Sequence, residues 1–140
     1  DIYISFSYEY IKQKKLMRKW KNIILYLENR RLWWCQKNLI IYYSRVGENY
    51  VNGSVKSLSK GNTEICAEYI QEAIGGDLFE VETVKEYAKD YYECIEDAKK
   101  ELHEQSRPEL KEYLENLDDY DHIFICGPCW WGIFPMAIFS

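Results

Sequence analysis

The chain has 140 residues, and 47% of them are hydrophobic, which fits one globular domain rather than a disordered chain. No apolar run approaches the roughly 20 residues that a membrane-spanning helix needs, and the first residues lack the basic-then-apolar pattern of a secretory signal. These features exclude a membrane span and predict a cytoplasmic protein.

Charge divides the chain into two unlike parts. Residues 1–37 hold nine Lys and Arg against three Asp and Glu, whereas residues 38–140 hold nine against twenty. The acidic part disfavours nucleic acid as a partner, because binding a phosphate backbone relies on clustered Lys and Arg. Small ligands or basic protein partners suit it better. The contrast predicts a basic N-terminal extension, residues 1–37, outside a domain formed by residues 38–140.

The extension has the pattern of an amphipathic helix. Between residues 11 and 34, apolar residues recur at helical spacing with basic residues between them. A membrane-surface or partner-binding helix is one interpretation, and an appended segment ahead of the true domain start is the other. We favour the second.

The first elements of the domain are a strand, a loop and a helix. Residues 38–43 form a continuous apolar run typical of a buried parallel strand. Residues 44–60 are rich in Gly, Asn and Ser, which predicts a loop. A helix then begins at Thr63 and ends at Gly75-Gly76, residues that accept a positive φ.

The remaining pattern continues the alternation of strand and helix. Residues 77–82 alternate apolar with acidic, which indicates an edge strand. Residues 86–107 have helical spacing, a second helix is predicted from Pro108 through Leu117, and residues 122–126 form a third, buried strand. Such alternation predicts an α/β fold with a parallel sheet, in which ligands bind beyond the carboxyl ends of the strands.

One candidate site is the start of the first helix. Gly61, Asn62 and Thr63 combine a residue without a side chain, two hydrogen-bonding side chains and the free N–H groups of a first helical turn. Phosphate binds to such a combination, although Asn or Thr before a helix is also an ordinary N-cap. The segment matches neither the P-loop nor the dinucleotide G-x-G-x-x-G pattern, which disfavours ATP, GTP and NAD as tightly bound cofactors.

A second candidate is the loop after the third strand. Trp130 and Trp131 follow each other between Pro128 and Pro135. One Trp fits a core, but two in a loop bounded by Pro and Gly predict that one is exposed. An exposed indole at the carboxyl end of a strand is a stacking surface for a flat conjugated ring.

These segments together resemble the flavodoxin family, in particular its variants with a P-x-W-W-G-x-x-P-M segment after the third strand. The resemblance runs from about residue 38 to Ser140 and includes Gly61-Asn62-Thr63-Glu64, Gly75-Gly76-Asp77-Leu78-Phe79-Glu80 and Leu117-Asp118-Asp119-Tyr120-Asp121 in family order. It implies a flavodoxin-like three-layer sandwich that binds FMN non-covalently and carries one or two electrons between redox partner proteins or to a small-molecule acceptor. An electron carrier is more strongly implied than a stand-alone enzyme such as an NAD(P)H-dependent flavin or quinone reductase.

The resemblance also assigns residues to the two ends of the flavin. Ser44, Asn62 and Thr63 look like the phosphate ligands, and Gly61 permits close approach. Pro128, Cys129, Trp130, Trp131 and Gly132 look like the isoalloxazine loop. The Gly132 peptide is the candidate to accept a hydrogen bond from N5–H of the reduced flavin. An acidic shell lowers the reduction potential further, because it disfavours an anionic reduced flavin.

Three departures from the family pattern lead to further expectations. About sixteen residues separate Ser44 from Gly61, so residues 44–49 are a rival alignment for the phosphate loop. The family pattern has no counterpart of the N-terminal extension. The chain stops after the third strand, which predicts a truncated domain without its fourth and fifth strands. The third strand would then have an exposed edge, favouring weak FMN binding and self-association, unless residues 1–36 supply the missing cover.

A rival redox centre is the Cys126-Gly127-Pro128-Cys129 motif, which matches the dithiol of thioredoxins. Its context disfavours that chemistry, because the first Cys ends an apolar strand and no Trp precedes it. Cys66, Cys94 and Cys126 fit small apolar packing residues, and the spacing of Cys and His predicts no metal site. A non-catalytic domain that binds partners through its acidic face is the remaining alternative.

Overall fold

The computed structural model describes residues 2–6 and 37–140. Within them the strands are β1 (Ile2–Phe6), β2 (Asn38–Tyr42), β3 (Gly47–Val51), β4 (Ser54–Leu58), β5 (Asp77–Glu80) and β6 (His122–Pro128). The helices are α1 (Asn62–Ile74) and α2 (Tyr91–Glu104), with 3₁₀ turns at Leu117–Asp119 and Met136–Phe139. The predicted helix within residues 11–34 lies outside the described residues.

Four strands form a parallel sheet in the order β1-β6-β2-β5. At its centre, Ile40 of β2 lies between Leu78 of β5 and Phe124 of β6. The three predicted strands are therefore present, all parallel, and β5 lies at the edge as its alternating pattern indicated. The α/β fold class predicted from the sequence is confirmed.

Strand β1 lies where the sequence predicted an open edge. Its backbone pairs with β6 in parallel register, from Ile2 opposite Phe124 to Phe6 opposite Pro128. The expectation that β6 lacks a second neighbour is therefore wrong. Residues 2–6, which the sequence assigned to the N-terminal extension, supply this neighbouring strand. The domain boundary and the expected self-association remain predictions.

Both faces of the sheet are covered at β2, where Ile40 packs into one cluster and Ile41 against the other. This explains why β2 is a continuous apolar run. On one face, Ile40, Tyr42, Phe124 and Cys126 pack with Ala67 and Ile70 of α1. On the other face, Tyr43, Val81, Leu110 and Ala137 form a second buried cluster. The helix α1 ends at Gly75 (φ 70°) and Gly76 (φ 118°), as predicted from the Gly pair.

The segment predicted as a loop over residues 44–60 is mostly a β-hairpin, so that prediction is wrong. Strands β3 and β4 pair antiparallel, with Val51 opposite Ser54. The residues between them, Asn52 (φ 52°) and Gly53 (φ 86°), both have positive φ, as a type I′ turn requires. The Asn-Gly pair is a strong hairpin signal, but the polar strands around it lack the apolar alternation of a core strand.

A second correction concerns the helix predicted from Pro108 through Leu117. Leu110 instead forms an antiparallel bridge with Thr83, supported by Val84 N–H donating to Glu109 O (2.8 Å) and Lys111 N–H to Glu82 O (2.9 Å). This pairing buries Leu110 in the second cluster. A tertiary contact therefore outweighs the helical spacing of the leucines. The helix predicted over residues 86–107 is shorter, beginning after the Asp90 cap and ending at Gln105.

Within residues 2–6 and 37–140, no helix combines the length and apolar character needed to cross a membrane.

Candidate functional site

The start of α1 meets the carboxyl end of β2 at Ser44. The Ser44 hydroxyl oxygen accepts a hydrogen bond from the backbone N–H of Glu64, in the first turn of α1 (3.1 Å). A Cβ atom added at Gly61 would lie 2.0 Å from the Ser44 Oγ and 3.0 Å from the Arg45 carbonyl oxygen. Only glycine therefore fits at the N-cap of this helix, and its lack of a side chain lets the two segments touch.

The hairpin explains how residues so far apart in sequence meet. Strands β3 and β4 leave the end of β2 and return to it, so that Gly61 lies against Ser44 despite the intervening residues. The rival alignment over residues 44–49 does not lie at a helix start, because Gly47 begins β3. Gly61, Asn62 and Thr63 do lie at a helix start, and their assignment as the phosphate segment stays a prediction.

The first turn of α1 has the properties of an anion site. Gly61 is the N-cap, and Asn62 and Thr63 are the first two helical residues, half-buried beside Ser44. The N–H groups of the first turn have no partner within a helix, and the helix dipole is positive there. Because the Ser44 hydroxyl already accepts from Glu64, its own proton is directed elsewhere and can be donated.

The loop after β6 forms a tight turn. Trp130 N–H donates to Ile133 O (2.8 Å), and Ile133 N–H donates to Trp130 O (3.1 Å). The central residues Trp131 (φ 53°) and Gly132 (φ 85°) both have positive φ. A bulky residue in this conformation is a strained exception that concentrates at functional positions. Pro128 ends β6 and Cys129 follows it, both half-buried.

The two tryptophans have different surroundings. The Trp130 ring packs edge-on against Tyr43 (centroids 5.4 Å apart) and Tyr87 (5.2 Å), beside the second buried cluster. Trp131 is 52% exposed, donates its indole N–H to Ile95 O (3.2 Å) and lies 5.4 Å from the Lys99 ammonium. The prediction that one Trp is packed and the other exposed is confirmed.

Tyr43 connects the two halves of the candidate site. It precedes Ser44 in the chain and contacts Trp130, so the phosphate segment and the aromatic loop both lie beyond the carboxyl ends of the central strands β2 and β6. An open cavity of about 230 Å³ adjoins Ser44, Arg45 and Tyr87 on the side of β5, but no residue of the loop 128–132 lines it. Sequence reasoning missed Tyr43 and Tyr87, because single aromatic residues in apolar or charged segments give no functional signal.

Comparison with known proteins identifies the family. The family model for flavodoxin matches residues 54–140, more than half of the chain. The chain belongs to the flavodoxin family. No curated protein matches it. Flavin binding is general among flavodoxins, and the match spans Gly61 and the whole aromatic loop but begins after Ser44.

Cys126 and Cys129 do not have the environment of a thioredoxin-like dithiol. Cys126 is fully buried within β6, and burial raises the pKa of its thiol to about 12. A nucleophilic dithiol needs the opposite shift and an accessible first Cys. Burial likewise raises the pKa of Cys66 and Cys94, in keeping with packing roles. Among the residues that the structure describes, no His, Cys, Asp and Glu form a group that could hold a metal ion.

The half-buried Glu101 carboxyl, beside Tyr87, predicts that the stability of the fold depends on pH. Tyr87 donates its hydroxyl proton to Glu101 (2.6 Å), and burial raises the pKa of Glu101. A carboxyl whose pKa is higher in the folded state stabilises the fold below its unfolded pKa, and this contribution is lost as pH rises through the folded pKa. We expect Glu101→Gln, which keeps the acceptor, to be more stable than the native protein at pH 7 and indistinguishable from it near pH 3.

Urea unfolding at both pH values measures this difference, with the exposed Glu104→Gln on the same helix as the control. A Glu101→Gln variant that is less stable than the native protein at pH 7 contradicts the prediction.

Proposed function

We propose that this protein binds FMN non-covalently and transfers electrons through it. The observation that carries the proposal is the close contact of Gly61 with Ser44 at the start of α1, beyond the carboxyl ends of the central strands, where the exposed Trp131 also lies. Because Gly61 has no side chain, the Ser44 hydroxyl lies directly against the first turn of α1, and a hydroxyl donor beside the N-terminus of a helix suits a phosphate oxygen. A neighbouring indole face suits the flavin ring.

The phosphate end of the proposed site consists of Ser44, Gly61, Asn62 and Thr63. The Ser44 hydroxyl is oriented by the bond it accepts from Glu64, and its proton is available to a phosphate oxygen. The N–H groups of Asn62 and Thr63 lie in the first turn of α1, where the helix dipole favours an anion. In this arrangement the phosphate binds to hydroxyl, amide and backbone donors rather than to a cationic side chain.

The ring end of the proposed site is the loop of Pro128, Cys129, Trp130, Trp131 and Gly132. Trp131 offers the exposed stacking face, while Trp130 fixes the loop through its contacts with Tyr43 and Tyr87. Nothing lies within 4 Å of a Cβ built at Gly132, so its peptide has room to turn its carbonyl toward a ligand. Bound FMN supplies the reversible uptake of one or two electrons, and the loop orients its ring.

Charge indicates the class of redox partner. Residues 38–140 carry nine basic and twenty acidic side chains, so the domain has a net charge of −11. Such a surface attracts basic protein partners and repels acidic ones over the range of the Debye length. We therefore propose electron exchange with a basic redox protein, at a rate that falls as salt is added.

Titration of the apoprotein with FMN tests the proposal. We expect quenching of flavin fluorescence, a yellow complex and release of FMN on denaturation, all retained in the Cys126→Ala variant, which removes the first thiol of the motif and lies outside the proposed flavin site. A protein that binds no FMN but has a dithiol-dependent reductase activity, lost in the Cys126→Ala variant, would overturn the proposal in favour of thiol chemistry.

A further inference from the structure

Arg45, the residue after Ser44, is bound to the backbone of two other segments. Its guanidinium donates to the carbonyl oxygens of Ala88 (2.6 Å), Lys89 (2.8 Å) and Asp90 (3.2 Å), and also to that of Glu48. The three bonds to residues 88–90 all come from Nη2, which has two N–H groups, so one of them is shared between two carbonyls, while Nη1 binds Glu48. Arg45 thus ties the end of β2 to residues 88–90, more than forty positions later in the chain.

A second contact holds the same two segments together. The Glu48 carboxylate accepts a hydrogen bond from the backbone N–H of Tyr91, the first residue of α2 (3.0 Å). Asn49 adds a local contact by donating from its side chain to the carbonyl of Arg45 (3.1 Å). The start of α2 and the segment 45–49 therefore form one fixed unit.

This unit packs against Gly61. A Cβ at Gly61 would meet the Arg45 carbonyl oxygen at 3.0 Å and the Arg45 nitrogen at 3.1 Å, in addition to the Ser44 Oγ. The position of the Ser44 hydroxyl thus depends on the backbone of Arg45, which its own side chain anchors to residues 88–90. Movement of Arg45 would shift Ser44 away from α1.

We propose that Arg45 is a positioning residue that makes the site select phosphorylated flavin over flavin without a phosphate. The inference rests on the FMN binding proposed above. Arg45 does not contact the ligand itself. Its guanidinium fixes Ser44 beside the first turn of α1, so that the Ser44 hydroxyl and the N–H groups of that turn can bind the same phosphate. Its donor groups point to backbone carbonyls, so its role differs from that of a cation paired directly with phosphate.

Dissociation constants for FMN and riboflavin, measured on the same protein samples, test the inference. We expect Arg45→Lys and Arg45→Gln both to weaken FMN binding by roughly tenfold or more, while riboflavin binding changes by less than about twofold. The ratio of the two constants therefore falls. A direct phosphate cation behaves differently, because Arg45→Lys keeps the charge and would then retain most of the affinity for FMN.

Two further variants make the result decisive. Glu48→Ala loosens the contact with Tyr91 without removing a cation, and we expect it to lower the preference for FMN in the same direction. Arg107→Lys is the matched control, because Arg107 also donates to backbone carbonyls, those of Gln105 and Ser106, but does so outside the candidate site. We expect its constants to equal those of the native protein.

The possible failures are distinguishable. If the native protein binds neither flavin, both the proposed function and this inference are wrong. If it binds FMN and riboflavin equally, or if the Arg45 variants lose both ligands in parallel with a fall in Tm, flavin binding stands and the positioning role is refuted.

Discussion

Replacing Gly61 with alanine is expected to abolish tight FMN binding while α1 stays folded. The added Cβ would lie 2.0 Å from the Ser44 Oγ, so the hydroxyl must leave its hydrogen bond with Glu64. The backbone of Arg45 is also too close, at 3.0 Å, and is held in place by residues 88–90. Conformational strain is not the cause, since Gly61 has φ −73°, which any residue adopts.

The expected magnitude follows from the hydrogen bonds that are lost. A bond to a charged group contributes about 1.5–3 kcal/mol, so loss of the Ser44 contact alone weakens FMN binding by roughly 10- to 100-fold. Riboflavin binding should change far less, because the affected end of the site contacts the phosphate.

Gly75→Ala is the matched control at the other end of the same helix. Nothing lies within 4 Å of a Cβ at Gly75, and its backbone conformation (φ 70°, ψ 179°), which is essentially restricted to glycine, predicts only a loss of stability, about 1–3 kcal/mol. Fluorescence titration for binding and urea unfolding for stability should separate the two variants. A Gly61→Ala protein that binds FMN as tightly as the native protein would refute the phosphate assignment.

The sheet could be predicted from the sequence because its strands and its helix carry strong local patterns. Strands β2 and β6 lie inside the sheet and are continuous apolar runs, and β5 lies at an edge and has the exposed acidic residues Asp77 and Glu80 at its two ends. Helix α1 shows helical spacing and ends at a Gly pair. In each case the pattern along the chain and the burial in the fold have the same physical cause.

The elements that were missed depend on contacts between distant segments. The hairpin β3–β4 is polar because α2 rather than the main core stabilises it, through Tyr50 stacked on Tyr91 (6.0 Å) and through Glu48. Leu110 pairs with Thr83, a contact that no local spacing reveals. The pairing of β1 with β6 joins the two ends of the chain. It was not predicted, because the difference in charge between residues 1–37 and 38–140 indicated that the first segment lies outside the domain.

The candidate site, too, could be predicted only in part from the sequence. Gly61, Asn62 and Thr63 lie next to one another in sequence, so their pattern could be recognised directly. The contact between Gly61 and Ser44 depends on the hairpin, and the contacts of Arg45 depend on residues 88–90. The sequence was therefore sufficient to propose the phosphate ligands, which stay a prediction, but it gave no indication of the contacts that hold these residues in place.

Substitution of the two tryptophans should separate ligand binding from folding. We expect Trp131→Ala to weaken FMN binding by more than about tenfold, because it removes stacking of on the order of 1 kcal/mol and much of the contact area. Its effect on stability should be small, since the side chain is 52% exposed and the residue has a strained φ of 53°.

Trp130→Ala should act on the fold instead. The Trp130 ring packs edge-on against Tyr43 and Tyr87, and removing a large aromatic side chain from such a cluster destabilises a protein by about 3–5 kcal/mol when it is fully buried. Because Trp130 is only partly buried, we expect the lower end of this range. Trp130→Phe is the control that keeps an aromatic ring, and it should recover most of the loss.

Urea unfolding and quenching of flavin fluorescence, measured on all three variants, test this division. Trp131→Ala should lose quenching and keep its unfolding midpoint, whereas Trp130→Ala should show a lower midpoint and bind FMN only where it is still folded. Unchanged affinity and quenching in Trp131→Ala would remove this residue from the flavin site. Full stability in Trp130→Ala would show that the aromatic cluster does not hold the loop, and that its turn hydrogen bonds and the bond from Trp131 to Ile95 are sufficient to do so.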